Sequence, residues 1–312
     1  MNFYAISLPI LLLLHLLEGV AVVWLYLLRR RWGSGSNARL REVMSRLYRY
    51  AIEGVLPAPP RSPRRRRLMA EALFSLTRHL SLLSVEERER LGRRCSLTVH
   101  LLNVAERRGG VAQAEALQLL SVIPLDGGYV RRVENLHPAE PMGQLYRLVA
   151  LICHSPERVA ELLGAARQLP SYLVPRLVAR LEECRVALPV RSLLVSGGYL
   201  SQLVALRVIA RYELSDHTEE VYGVLTSPYG EVRLAAIKTL AAIGATVDCR
   251  VVEATDAMTI AERRIVLRVF LREGYSASAL QPLSDAEARV GSPLAGYAVC
   301  RTSSRKRTLV KT

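Results

Sequence analysis

Phenylalanine and tryptophan are scarce in this 312-residue chain, with three and two copies, and lysine occurs only at Lys238, Lys306 and Lys311. Leu, Val and Ala carry an apolar content of 50%, enough to bury a sizeable core and too much for a disordered chain. Unbranched and small apolar residues suit helices better than sheets, so an all-α fold is expected. The formal net charge of +15 rests almost wholly on arginine. Nucleic acid, anionic lipid or an acidic protein could face such a surplus, as could nothing but solvent.

Other absences exclude chemistry. Cys95, Cys153, Cys184, Cys249 and Cys300 are odd in number, far apart and never form a C-x-x-C pair. A disulfide framework and a zinc site are both excluded by that spacing; a reducing compartment fits, with all five as small core residues. There is no H-E-x-x-H, G-x-S-x-G, P-loop or dinucleotide-binding glycine pattern. His79, His100, His137, His154 and His217 are scattered, as expected of surface and capping residues. Glu86, Glu87, Glu89, Glu219 and Glu220 fall at helix starts, where carboxylates complement the macrodipole. No catalytic residue, metal or cofactor is expected, and the protein is read as a non-enzyme.

From Phe3 to Leu28 the chain is almost wholly apolar. As a helix this run reaches about 39 Å, more than the ~30 Å hydrocarbon core of a bilayer. No basic residue precedes it and no A-x-A-like site closes it, so it is expected to stay as an anchor. Arg29, Arg30 and Arg31 follow at once, beside Trp24, Tyr26 and Trp32, which sets the N-terminus outside and the remainder in the cytoplasm. The expected location is the inner (plasma) membrane, in a single pass. His15 and Glu18 share one face of the span, where polar groups need a partner. Either that face docks on another transmembrane helix, or a protonated Glu18 bonds locally.

Residues 1–32 are thus an anchor with an arginine flank, 33–38 a Gly/Ser linker, 39–290 a helical domain and 291–312 a basic tail. Pro57, Pro59, Pro60 and Pro63 break a first helical pattern, and Arg64, Arg65, Arg66 and Arg67 then form the densest basic cluster, suited to anionic headgroups.

Within the helical domain, Ser201 to Ala210 aligns with Val232 to Ala241 at an offset of 31 residues: Leu203 meets Leu234, Arg207 meets Lys238, and Ala210 meets Ala241. Weaker echoes lie at Arg67 to Leu73, Gln113 to Leu120, Gln144 to Leu151, Tyr172 to Leu181 and Arg263 to Val269. Glycine and proline pairs punctuate them. The stretch from Ser227-Pro228-Tyr229-Gly230 through Glu231-Val232-Arg233-Leu234-Ala235-Ala236-Ile237-Lys238 to Gly244 resembles the second helix of a HEAT repeat, with Thr218 to Leu225 as the first. That resemblance implies an α-solenoid of stacked helical hairpins and an interaction scaffold. Arg207, Arg233 and Lys238 are expected on its partner-binding surface. A membrane-associated protein, for example an enzyme such as a glycosyltransferase, would be a suitable partner. A nucleic-acid-binding HEAT-like protein and a HEAT-like lyase are the alternatives, the first disfavoured by the anchor and by the want of aromatics among the clustered arginines.

Overall fold

The computed structural model describes residues 38–289, apart from residues 81, 167, 168, 197 and 277. The expected anchor with His15, Glu18, Arg29, Arg30 and Arg31, and the expected tail, lie outside the described residues. Among the described residues no helix is long and apolar enough to cross a membrane, and there is no strand. The fold is all-α.

Two compact units are formed, one by residues up to Val104 with Val122–Leu125, the other by Ala105–Ser121 and the residues from Asp126 onward. The first contains α1 (residues 38–53), α2 (Pro63–Leu80), α3 (Val85–Arg94) and most of α4 (Leu97–Arg107). Residues 54–62, rich in proline, separate α1 from α2 as expected. Ser84 and Glu87 close a capping box at the start of α3, satisfying two orphan amides. In this unit Arg88 donates to the Val122 carbonyl at 2.9 Å, and Gly92 lies so close to Ile123 that a Cβ would meet its Cγ2 at 2.7 Å.

The second unit is a stack. One row consists of α5 (Gly110–Leu120), α7 (Pro141–His154), α9 (Val174–Glu183), α11 (Tyr199–Tyr212), α13 (Gly230–Ala242) and α15 (Ile260–Arg272), each packed on the next. The intervening helices are α6 (Gly127–Glu134), α8 (Val159–Ala165), α10 (Val190–Val195), α12 (Thr218–Val224), α14 (Cys249–Asp256) and α16 (Gln281–Arg289). They make a second layer, with α6 and α8 against α7, α10 against α11, α12 against α13, α10 on α12, and α14 on α16. A lone hairpin cannot bury its apolar face, so each is completed by its neighbours. Leu206, Ile209, Ala236, Ile237 and Leu240, the apolar positions of the aligned repeats, are all buried.

Four helices of the first row end in the same way. Arg185, Glu213, Gly244 and Gly274 take positive φ, and the next residue donates its amide five positions back, as Val186 to Leu181, Leu214 to Ile209, Ala245 to Leu240 and Tyr275 to Phe270. This is the Schellman stop, in which a left-handed residue lets orphan carbonyls find amides. Two of the four are not glycine, and a side chain there is sterically unfavourable. Glu213→Gly is therefore expected to raise the unfolding free energy by about 0.5–1 kcal/mol, after the greater entropy of glycine in the unfolded chain is offset. Urea denaturation checks the sign, and a destabilised variant would show that the Glu213 side chain supports the fold.

The cysteines are not all core residues. Cys95 is 2% exposed, Cys153 and Cys184 are half-buried, and Cys249, the first residue of α14, is exposed. At that position the side chain stands clear of the apolar face, since Val251 and Ala254 turn inward instead. Burial raises the Cys95 thiol pKa, and the lesser opposing effect of Arg94 does not cancel it. Iodoacetamide at mildly alkaline pH should modify Cys249 in the native protein and reach Cys95 only on unfolding, as peptide mass spectrometry would show.

Candidate functional site

Each helix of the first row carries a polar side chain near its start, and most of these side chains turn back onto the preceding turn. Gln113 donates to the Ala105 carbonyl at 2.8 Å, Gln144 to Pro138 at 3.3 Å and Gln202 to Leu194 at 3.2 Å. Arg233 donates to the Ser227 carbonyl at 2.8 Å, and Arg263 to Met258 at 3.0 Å and Asp256 at 2.8 Å. The corresponding Arg176 on α9 instead reaches Tyr146, at 3.1 Å. These side chains clamp the end of the preceding helix or the turn after it, giving donors to carbonyls that have no helical partner.

Arg233, expected on the partner-binding surface, takes part in this arrangement. Its side chain is half-buried and its guanidinium is committed to the Ser227 carbonyl, because Arg233 occupies the clamp position that Gln202 holds one repeat earlier. Arg207 and Lys238, by contrast, are exposed. The Thr239 hydroxyl lies 2.9 Å from the Ala235 carbonyl of its own helix and 3.2 Å from the Leu206 carbonyl of α11, so the residues next to Lys238 and Arg207 meet across the helix pair. On α15 the equivalent position is Arg268, also exposed, with exposed Arg264 one turn before it. No described carboxylate pairs with Arg207, Lys238, Arg264 or Arg268, whereas the flanking Arg211 and Arg272 pair with Glu182 at 3.1 Å and Glu273 at 2.9 Å.

An apolar edge runs along the N-terminal ends of the same helices. Tyr172 is 70% exposed, Tyr229 42% and Ile260 52%, and half-buried Tyr199 lies between the two tyrosines in sequence. The Tyr199 and Tyr229 rings meet edge to face with centroids 5.3 Å apart. Tyr199 also donates to the Glu231 carboxylate. Its pKa is pushed up to about 12, first by burial and then by that bond, so it remains a neutral donor.

The second layer treats its charges differently. Arg191 of α10 bonds Glu220 of α12 at 2.5 Å, and Arg250 of α14 bonds Glu219 of α12 at 2.9 Å while stacking 3.7 Å from the Tyr222 ring centroid. Arg191 and Arg250 thus have counter-ions where Arg207, Lys238, Arg264 and Arg268 have none among the described residues, although α6 of the same layer leaves Arg131 exposed and likewise unpaired.

Arg64, Arg65 and Arg67 are exposed in the first turn of α2 and Arg66 is half-buried; Arg67 pairs with Glu71 at 2.8 Å. Burial and then the Arg66 charge lower the His100 pKa. Within the second unit a cavity of about 600 Å³ is lined by Leu136, Leu148, Leu162 and Leu169, with Arg147 and Arg158 at its polar side. Arg158 bridges Glu134 and Glu161 at 2.6 and 2.7 Å, and Arg147 donates to the Val133 and Glu134 carbonyls at 3.1 and 2.5 Å. Its charges are thus spent internally. Among the described residues no group of three or more His, Cys, Asp and Glu is placed to hold a metal ion.

Comparison with family models, with curated proteins and with solved structures finds no match for this chain. The class of protein therefore rests on the fold and the face: an all-helical stack with an open cationic row bordered by tyrosines.

Proposed function

We propose that the protein is a membrane-tethered scaffold of HEAT-like repeats that binds another protein through the exposed face of α11, α13 and α15. The observation that carries this reading is the contrast between α11, α13 and α15, where Arg207, Lys238, Arg264 and Arg268 stand without counter-ions among the described residues, and α10, α12 and α14 of the other layer, where Arg191 and Arg250 are neutralised in place. Open cations and exposed tyrosines along one row are the composition of a recognition surface, where Arg and Tyr dominate binding energy. The apolar run at residues 3–28 and the arginines after it support tethering, with the stack in the cytoplasm. The arginines of α2 follow by a few dozen residues and fit the anionic headgroup layer.

Affinity purification in mild detergent, of the full-length protein beside a chain starting at Ala38, tests the reading. A protein partner retained by both is expected, with the full-length chain alone resisting carbonate extraction from membranes. Recovery of the bait by itself in both cases would sink the scaffold assignment.

A further inference from the structure

The chemistry of the partner can be read from the spacing of the face, on the assumption that it is a protein-binding face at all. On α11, Arg207 lies eight positions beyond Tyr199, and on α15, Arg268 lies eight positions beyond Ile260. Eight residues of helix are about 12 Å. An apolar line and a cationic line therefore cross the row in parallel, separated by about 12 Å. Between them lie half-buried Leu234 on α13 and exposed Arg264 on α15, with Leu203 of α11 buried beneath, so the floor is aliphatic at α13 and cationic at α15. The row itself advances by one helix–helix spacing per repeat, roughly 8–10 Å.

A fully extended peptide returns a side chain to the same side only about every 6.7 Å, out of step with the row. An α-helix laid across the row is in step: two of its turns advance about 10.8 Å, close to one repeat, and its diameter with side chains is about 10–12 Å. Three stacked helices span roughly 20 Å between outer axes, the length of some 13 or 14 helical residues. We propose that this face takes an acidic amphipathic helix of a partner protein. Its apolar stripe lies on the edge formed by Tyr172, Tyr199, Tyr229 and Ile260, and carboxylates seven residues apart meet Arg207, Lys238 and Arg268. This is helix-in-groove recognition with the register set by charge. Nucleic acid suits the face less well, because the tyrosines stand at one edge instead of alternating with the cations, and Tyr199 is packed edge-on against Tyr229.

The test uses full-length protein in a neutral detergent and a fluorescent peptide of roughly 18 residues, with Leu along one helical face and Glu at seven-residue spacing beside it. A scrambled peptide of equal composition and a single-stranded oligonucleotide serve as competitors. Binding of the patterned peptide at least about tenfold tighter than the scramble is expected. Arg207→Glu/Lys238→Glu/Arg268→Glu should abolish it, and Tyr172→Ala/Tyr229→Ala should weaken it severalfold. The control Arg39→Glu/Arg94→Glu/Arg131→Glu changes net charge equally at exposed positions away from this row and should leave it unchanged; circular dichroism verifies that each variant folds. Equal binding of the scramble, preference for the oligonucleotide, or an equal loss in the control would overturn the inference. The underlying scaffold reading is separated by repeating the purification with the first triple variant. A partner kept by that variant rejects the acidic helix and leaves the scaffold, whereas a partner absent even with the wild-type chain rejects the scaffold.

Discussion

Phe270→Ala should lower the unfolding free energy by about 3–5 kcal/mol, the largest single-residue effect expected in this protein. Phe270 is 0% exposed, and its ring meets that of Tyr275 edge to face with centroids 4.9 Å apart. Tyr275 is the residue after the Gly274 stop, and its hydroxyl donates to the Ala245 carbonyl at 2.6 Å, one repeat back. Truncation thus opens a cavity and loosens the ring that ties the last turn of α15 to the end of α13. In a stack whose repeats contact mainly their neighbours, the loss should appear as early melting at the C-terminal end rather than as uniform destabilisation. Hydrogen exchange read by mass spectrometry would show protection falling first in α15 and α16. An unchanged denaturation midpoint would mean that the α15 core is not packed as described.

Gln202→Leu should cost about 2–4 kcal/mol although it keeps the size and adds apolar surface. Gln202 is buried; its amide donates to the Leu194 carbonyl at 3.2 Å and accepts the Ser227 hydroxyl at 3.0 Å. Leucine would leave both buried partners unsatisfied, at about 1–3 kcal/mol for each orphaned group. Removing the hydroxyl as well, in Gln202→Leu/Ser227→Ala, should restore part of the loss, because one orphan disappears with its partner. Because Gln202 joins the end of α10 to the α12–α13 turn, its effect should be mid-stack, in contrast to the terminal fraying of Phe270→Ala. Additive losses in the double variant, measured by denaturation, would refute the network.

Much of the fold was legible because helix-forming signals are local. The 31-residue offset found the α11/α13 pair, and four of the five weaker echoes fall on α5, α7, α9 and α15 of the first row. The expected first helix, Thr218 to Leu225, is observed as Thr218–Val224. Arg207 and Lys238 could be placed on the surface because they lie outside the apolar pattern of their helices. Arg233 could not, since its fate depends on a carbonyl six residues back in a loop whose path is set by packing. Arg268 was missed for a related reason: the repeat from α13 to α15 is one residue shorter, so a fixed offset lands on Val269. The tyrosine edge was invisible because its members sit just before or at the helix starts, where loop conformation and not periodicity decides exposure.

The turn clamps also bear on how such a chain can change over generations. Glutamine at 113, 144 and 202 and arginine at 233 and 263 make the same kind of bond to the same kind of turn. At the half-buried positions 113, 144, 233 and 263 a lineage could therefore exchange one for the other at small cost in folding while adding or removing a positive charge, whereas buried Gln202, which also accepts the Ser227 hydroxyl, could not be replaced by a donor-only arginine in this way. Electrostatic character is in this way uncoupled from stability at these half-buried positions, and drift there could retune which partners are attracted to a given stretch of the stack without redesigning its core.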